Sequence, residues 1–384
     1  MTENLARSTG PAAPGVASRT WRRPVARNDD SVTLQDALLA RGRGNSLNLI
    51  RLILASIVIG AHAWPLSGSG ATAAWFEPFA WQAVPGFFCL SGFLIARSRM
   101  TLGLGRFMWH RCLRILPAYY VVLVMVAFVA APLSTVGGGV WRADEAFTYV
   151  VGNGAVRQLV WNIPGTVDAM AWDGSLWTLF YELLAYVCAG LLLAVPLARR
   201  HASMVTPLLL ACCAVAVWWR VEPGAVNTSL FLETIRLGTY FLAGMVFYFW
   251  AERIRLDWRL AVVALGLVAA AWAVGWPDVL GPLPLAYFLL WLGATVPARW
   301  AQRNDVSYGV YIYAFPVAVL VEWFMPGLSV AQHVGLVVLF TVPLAWASWL
   351  IVERPAMRHK NARWRRRETP PEQVMAGDPR ASAA

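Results

Sequence analysis

Residues 48–66 read NLIRLILASIVIGAHAWPL. A helix of this length crosses the roughly 30 Å hydrocarbon layer of a bilayer. Nearly every residue is apolar, yet Arg51 and His62 lie inside the run. They are eleven residues apart. At about 100° per residue that is three turns plus roughly 20°, so both side chains leave the helix on one face, about 16 Å apart along its axis. An isolated arginine at this depth can snorkel to the interface. Two ionisable groups on one face point instead to a bundle interior or a cavity, because lipid does not solvate them. Histidine also exchanges a proton near neutral pH, which marks His62 as a functional candidate.

The rest of the chain has the same character. Of its 384 residues 58% are apolar, above the usual share of a soluble domain. The apolar residues are gathered near 48–66, 75–95, 115–133, 176–197, 204–219, 229–250, 259–276, 279–296, 307–325 and 332–352. The expected fold is therefore all-α, a polytopic integral membrane bundle of about ten transmembrane helices. Twenty-one tryptophans suit aromatic belts at the two interfaces. No short apolar run with a cleavage site stands at the start, so no cleaved signal peptide is expected.

Charge placement orients the bundle. With the N-terminus cytoplasmic, one set of loops holds Arg97, Arg99, Arg106, Arg111 and Arg114, then Arg199 and Arg200. It continues with Arg253, Arg255 and Arg259, then Arg299 and Arg303, and ends in RHKNARWRRR at 358–367. The opposite loops hold Arg142, Arg157 and Arg220. This asymmetry predicts both termini on the cytoplasmic side. It also accounts for the net charge of +11 without a nucleic-acid partner. Residues 1–46 read as a disordered cytoplasmic tail and 357–384 as a basic one. The external stretch 134–174 is long enough to expect a lid, a binding surface or an interfacial segment. Cys89, Cys112, Cys188, Cys212 and Cys213 show no CxxC spacing. They predict neither a zinc site nor a disulfide framework, only small buried hydrophobes.

Other spans carry polar groups at the depth of His62. In GSLWTLFYELLAY (174–186), Glu182 falls about 10 Å below Ser175. In SLFLETIRLGTYFLAG (229–244), Glu233 and Arg236 fall about 6 to 10 Å down. His62, Glu182, Glu233 and Arg236 lie at depths that would let them share one outer-half cavity; for Glu233 and Arg236 the favoured reading is an i, i+3 ion pair. On the cytoplasmic side, RFMWHRCLRILPAYY (106–120) sets Arg111 and Arg114 at i, i+3. Paired guanidiniums suit phosphate, and ordinary interfacial positive charge is the alternative. His110, His201, His333 and His359 lie near loops or ends and read as non-catalytic.

Taken in order, these stretches resemble the acyltransferase-3 family, polytopic enzymes that O-acylate cell-surface sugars and related hydroxyl acceptors. The matching pieces are LIRLILASIVIGAH (49–62), PGFFCLSGFLI (85–95), RFMWHRCLRILPAYY, GSLWTLFYELLAY, SYGVYIYAFP (307–316) and VERP (352–355). They span about 47–356, the expected acyltransferase domain. The resemblance implies that His62 is essential with Arg51 in the same site, that Arg111 and Arg114 help hold the donor, and that Trp177 and Glu182 lie at a helix start typical of the family. From the placement of the residues themselves, Glu182 is expected to orient His62 or raise its basicity, Arg51 to line the donor channel or help hold the donor, and Trp177, Tyr181, Glu233 and Arg236 to line the acceptor side or cavity. The resemblance further implies cytoplasmic acyl-CoA, commonly acetyl-CoA, as co-substrate, with no permanently bound cofactor and no metal. The acceptor would be a carbohydrate or glycolipid, and the site the inner membrane of a bacterium. One departure is Ala314, where the family often has histidine. A glycolipid transporter or flippase, or a structural subunit of an envelope complex, is the rival reading; the chain shows no recognisable inverted repeats.

Overall fold

The computed structural model describes residues 32–39, 46–136, 138–167, 171–220, 229–298 and 304–361. Helices stand at all ten expected places. They are α2 (Leu47–Leu66), α3 (Glu77–Thr101), α4 (Leu104–Leu133), α6 (Trp177–Leu192) and α7 (Ala202–Arg220), followed by α8 (Leu230–Phe249), α9 (Trp258–Ala273), α10 (Pro282–Thr295), α11 (Ser307–Phe324) and α12 (Val330–Asn361). Seven are long and apolar enough to cross a membrane; α6, α9 and α10 are shorter apolar helices. Shorter helices among the described residues include α1 (Leu34–Leu38) and α5 (Ala143–Gly152), with single turns at Pro196–Arg200 and Pro277–Leu280. The described residues contain no β-strand, only an isolated bridge between Thr33 and Arg255.

Burial follows helical periodicity. On α2 the buried residues Leu47, Ile50, Leu54, Ala55, Val58 and Ile59 form one stripe, while Ile53 faces outward at 43% exposure. On α11 nearly the whole circumference is buried, so this is the central helix. Helix α12 contrasts with it: Leu339, Phe340, Val342 and Ile351 are exposed, as a lipid-facing helix requires. The cysteines are free, but Cys188 and Cys212 lie exposed and only Cys89 is fully buried, which corrects the expectation of five buried thiols.

Tertiary contacts join the basic loops to one another at one end of the bundle. Arg97 donates to the Leu38 carbonyl, Arg199 to that of Met100 and Arg106 to Asn361 Oδ1. Residues 251–256 pair with 32–35 through backbone bonds such as Leu34 N to Ile254 O at 2.9 Å. That pairing corrects the disordered-tail expectation for 32–39: a capping box between Thr33 and Asp36 starts α1, and Leu34 and Leu38 are buried. Residues 1–31, 40–45 and 362–384 lie outside the described residues, as do Arg299 and Arg303.

Helices α3 and α8 approach backbone to backbone. A methyl group on Gly92 would collide with the Phe241 carbonyl oxygen, and one on Gly244 with that of Cys89. In lipid, where apolar burial gives little drive, such backbone-to-backbone packing holds helices together. Gly92→Ala is expected to destabilise the fold by about 2 kcal/mol or more through overpacking. A lowered melting temperature of the detergent-solubilised protein checks this.

Candidate active site

Arg51 and His62 do share a face of α2, and both turn toward α11. They open on two separate cavities stacked along the helix. The lower one, of about 30 Å³, is lined by Arg51, Phe87, Glu182, Tyr308 and Tyr311 among others. The upper one, of about 10 Å³, is lined by His62, Ser175, Tyr311, Ala314, Phe315 and Val337 among others. At this size each holds at most a water or two.

The His62 ring is half-buried and packs edge-on to Phe315, with ring centres 5.0 Å apart. It makes no hydrogen bond to any described residue. Phe315 also meets the 134–174 loop: a Cβ on Gly174 would stand 2.5 Å from its ring, so only glycine lets that loop close down here. Ala314, where the family often has histidine, lies on the wall of this cavity.

That loop is a packed plug rather than a flap. Tyr119 of α4 donates to the Asn153 carbonyl at 2.6 Å, and the Asn153 side chain holds the backbone of residues 159 and 160. Trp172 is fully buried. The plug delivers Asp173, whose Oδ1 accepts from the Ser175 amide and hydroxyl, while Oδ2 is buried without a partner. Burial pushes the Asp173 carboxyl up to about 8, against the pull of the Ser175 bonds. The folded pKa exceeds the unfolded one, so this group's contribution to stability is complete below the unfolded value and is lost as pH rises toward 8. Asp173→Asn, which keeps the Oδ1 acceptor and cannot ionise, is expected to raise the melting temperature by several degrees at pH 8 to 9 and to flatten its pH profile. Thermal unfolding at a series of pH values checks this.

Glu182 does not meet His62. Thr178 and Glu182 are one turn apart on α6; Thr178 bonds Tyr311, and Glu182, a turn deeper, faces the lower cavity. Its Oε1 accepts from Ser91 at 3.0 Å and from Tyr186. Glu233 and Arg236 line neither cavity. They form the i, i+3 ion pair and share it with Asp278, whose Oδ1 is 3.3 Å from Arg236 and also accepts from Tyr240. Trp81 closes over the guanidinium at 5.0 Å. The ion pair favoured for Glu233 and Arg236 is therefore present, and the other reading, one cavity shared with His62 and Glu182, is corrected. Trp177 and Tyr181 stack edge-to-face at 5.6 Å, also away from both cavities. Tyr181 instead lines an apolar groove of about 330 Å³ among α6, α7 and α8.

The arginines divide by their partners. Arg114 is held by Asp305 at 2.6 Å and Glu353 at 2.9 Å. Glu353 belongs to a π-helical turn, Trp349–Glu353, within α12; a π-turn changes the direction in which its side chains leave the helix. Arg51 is only 3.8 Å from Asp305, and its Nε is unpartnered. Arg111 has no carboxylate partner among the described residues: it reaches Ser98 Oγ at 3.4 Å and lies over the Phe107 and Tyr186 rings at 5.8 and 6.0 Å. Burial alone would raise the Asp305 carboxyl, but the guanidiniums of Arg114 and Arg51 outweigh it and hold the group below the usual carboxylate range. Asp305, Glu353, Asp278, Tyr311 and Thr178 were not singled out by sequence. Thr178, Tyr311 and Glu353 do lie within the quoted stretches GSLWTLFYELLAY, SYGVYIYAFP and VERP, and Asp305 follows two arginines in a basic loop.

Residues 45–352 match the family model described as an acyltransferase domain. The chain belongs to the acyltransferase-3 family. It is also 26% identical over 363 residues to nodulation protein 10 of Rhizobium leguminosarum bv. viciae, covering 83% of this chain and 94% of that one. To an O-acetyl transferase of Shigella phage Sf6 it is 26% identical over 341 residues, covering 81% and 96% respectively. No solved structure matches it. This acyltransferase is thus a membrane-embedded enzyme of the O-acyl transfer class, with its apolar helices forming the body that carries Arg51 and His62.

Proposed function

We propose that this membrane O-acyltransferase takes an acetyl group from cytoplasmic acetyl-CoA and places it on a hydroxyl of a sugar in a surface polysaccharide, glycolipid or glycosylated metabolite. The observation that carries this reading is the stacking of two cavities along one face of α2, with Arg51 on one and His62 on the other. The donor's phosphates sit on the Arg111 side, in the bacterial inner membrane with both termini cytoplasmic, and its thioester points up α2 toward the imidazole. His62 removes the acceptor hydroxyl proton as oxygen attacks the thioester carbonyl, and that proton then passes to the leaving thiolate. Alternatively the His62 nitrogen attacks the thioester carbonyl and expels the CoA thiolate; the acceptor oxygen then takes the acyl group from the imidazole, and its proton ends on the thiolate. Rapid quench with labelled acetyl-CoA separates the two, because only the second leaves label on the protein.

Donor binding on this scheme is an exchange of anions. Asp305, 3.8 Å from Arg51, competes with a donor phosphate for that guanidinium, while Arg114 stays held by its two carboxylates. Asp305→Asn is expected to lower the donor KM about fivefold, equivalent to about 1 kcal/mol of removed competition, with kcat little changed. Steady-state kinetics with varied acetyl-CoA check this. The whole reading is tested by incubating membranes with labelled acetyl-CoA and extracted surface glycans. Ester-linked label that depends on this chain supports it, and its absence rejects it.

A further inference from the structure

Tyr311 is the one residue common to the walls of both cavities. Its ring is nearly fully buried and stands edge-on to Phe87, with centres 5.4 Å apart. A single hydrogen bond fixes its tip, 2.7 Å to Thr178 Oγ1. Thr178 Oγ1 is also 3.2 Å from the Ser175 carbonyl, so when Thr178 donates there the Tyr311 phenol donates to Thr178. Ser175 in turn lines the upper cavity, and Glu182 the lower. The phenol therefore closes the space between the Arg51–Glu182 side and the His62 side, and it is latched to the helix that carries Glu182.

We infer that Tyr311 is a gate: it partitions the donor-side cavity from the His62 cavity and must swing off Thr178 for a thioester to reach the imidazole. This rests on the proposed acyl transfer for its purpose, but not for its geometry. A neutral hydrogen bond is weak enough net for the ring to leave during turnover, and a closed ring keeps water on the donor side from the imidazole between turnovers. Tyr311 is on this account a positioning residue, which acts through access and not on the reacting atoms.

The test reads access directly. Cysteine is introduced in the upper cavity as Ala314→Cys or in the lower as Val84→Cys, in the full-length chain. Sealed vesicles with the Arg111 side outward receive an impermeant thiol reagent, with free cysteine inside as scavenger. Peptide mass spectrometry follows each introduced thiol. With Tyr311 present, the upper site is expected to label about tenfold more slowly than the lower, and Tyr311→Ala is expected to remove that difference. Tyr311→Phe keeps the ring but loses the latch; it is expected to fall between the two and serves if the alanine variant does not fold. Equal labelling with Tyr311 in place overturns the gate, as does an upper site that stays protected in both variants. Labelling is read whether or not the chain transfers an acyl group. A Tyr311-dependent ratio in an inactive protein would reject the transfer reading and leave the gate standing.

Discussion

His62→Ala and His62→Gln each reduce acyl transfer by about a thousandfold or more, while the protein inserts, folds and melts much as before. The size follows from the role: a positioned proton acceptor contributes roughly 10² to 10⁴ in rate, and a histidine that also carried the acyl group would contribute more. The spared stability follows from the structure. The imidazole makes no hydrogen bond to a described residue and meets Phe315 only edge-on, in a cavity of about 10 Å³. Its removal leaves no buried partner unsatisfied, the usual source of a large stability loss. Glutamine is the sharper variant, because it nearly preserves volume and polarity yet accepts no proton near neutral pH. Transfer rates and melting temperatures measured on the same preparations check both halves. Retained turnover in His62→Gln would remove His62 from the chemistry.

Arg111→Ala and Arg114→Ala, three residues apart, fail in different ways. Arg111 has no carboxylate partner among the described residues, so its loss releases no buried anion. Its charge remains available to a phosphate, and the alanine variant is expected to raise the donor KM about 10- to 100-fold with kcat nearly unchanged. Arg114 is consumed by Asp305 and Glu353. Removing it strands the buried Glu353 carboxylate and leaves Asp305 with only Ser307 and the more distant Arg51, and deleting one partner of a buried pair costs about 3 to 5 kcal/mol. That variant should be depleted from the membrane or melt far lower, with activity falling for that reason. Donor-dependence curves beside melting curves distinguish the two; a stable Arg114→Ala with a purely raised KM would reverse the assignment.

Glu182 illustrates the limit of reading depth from spacing. Its register below Ser175 correctly put it inside the bundle. Depth alone paired it with His62, whereas the turn from Thr178 to Glu182 carries it past Tyr311 into the lower cavity with Ser91 and Tyr186. Glu233 and Arg236 show the same effect. Their i, i+3 contact is local and was legible, but Asp278, which completes the network from 42 residues away, was not.

The sequence by itself determined the ten helix positions, the lipid-facing character of the chain, the gathering of arginines toward one end, and the shared face of Arg51 and His62. Each is a one-dimensional property, set by hydrophobic run length and by the 3.6-residue period that aims a side chain away from its own axis. Only the tertiary structure decided which helix receives that side chain. It placed Asp305 and Glu353 on Arg114, left Arg111 without an acid and set Tyr311 between the two cavities. Such choices depend on the packing of helices distant in sequence, where a glycine such as Gly92 fixes how close two backbones come.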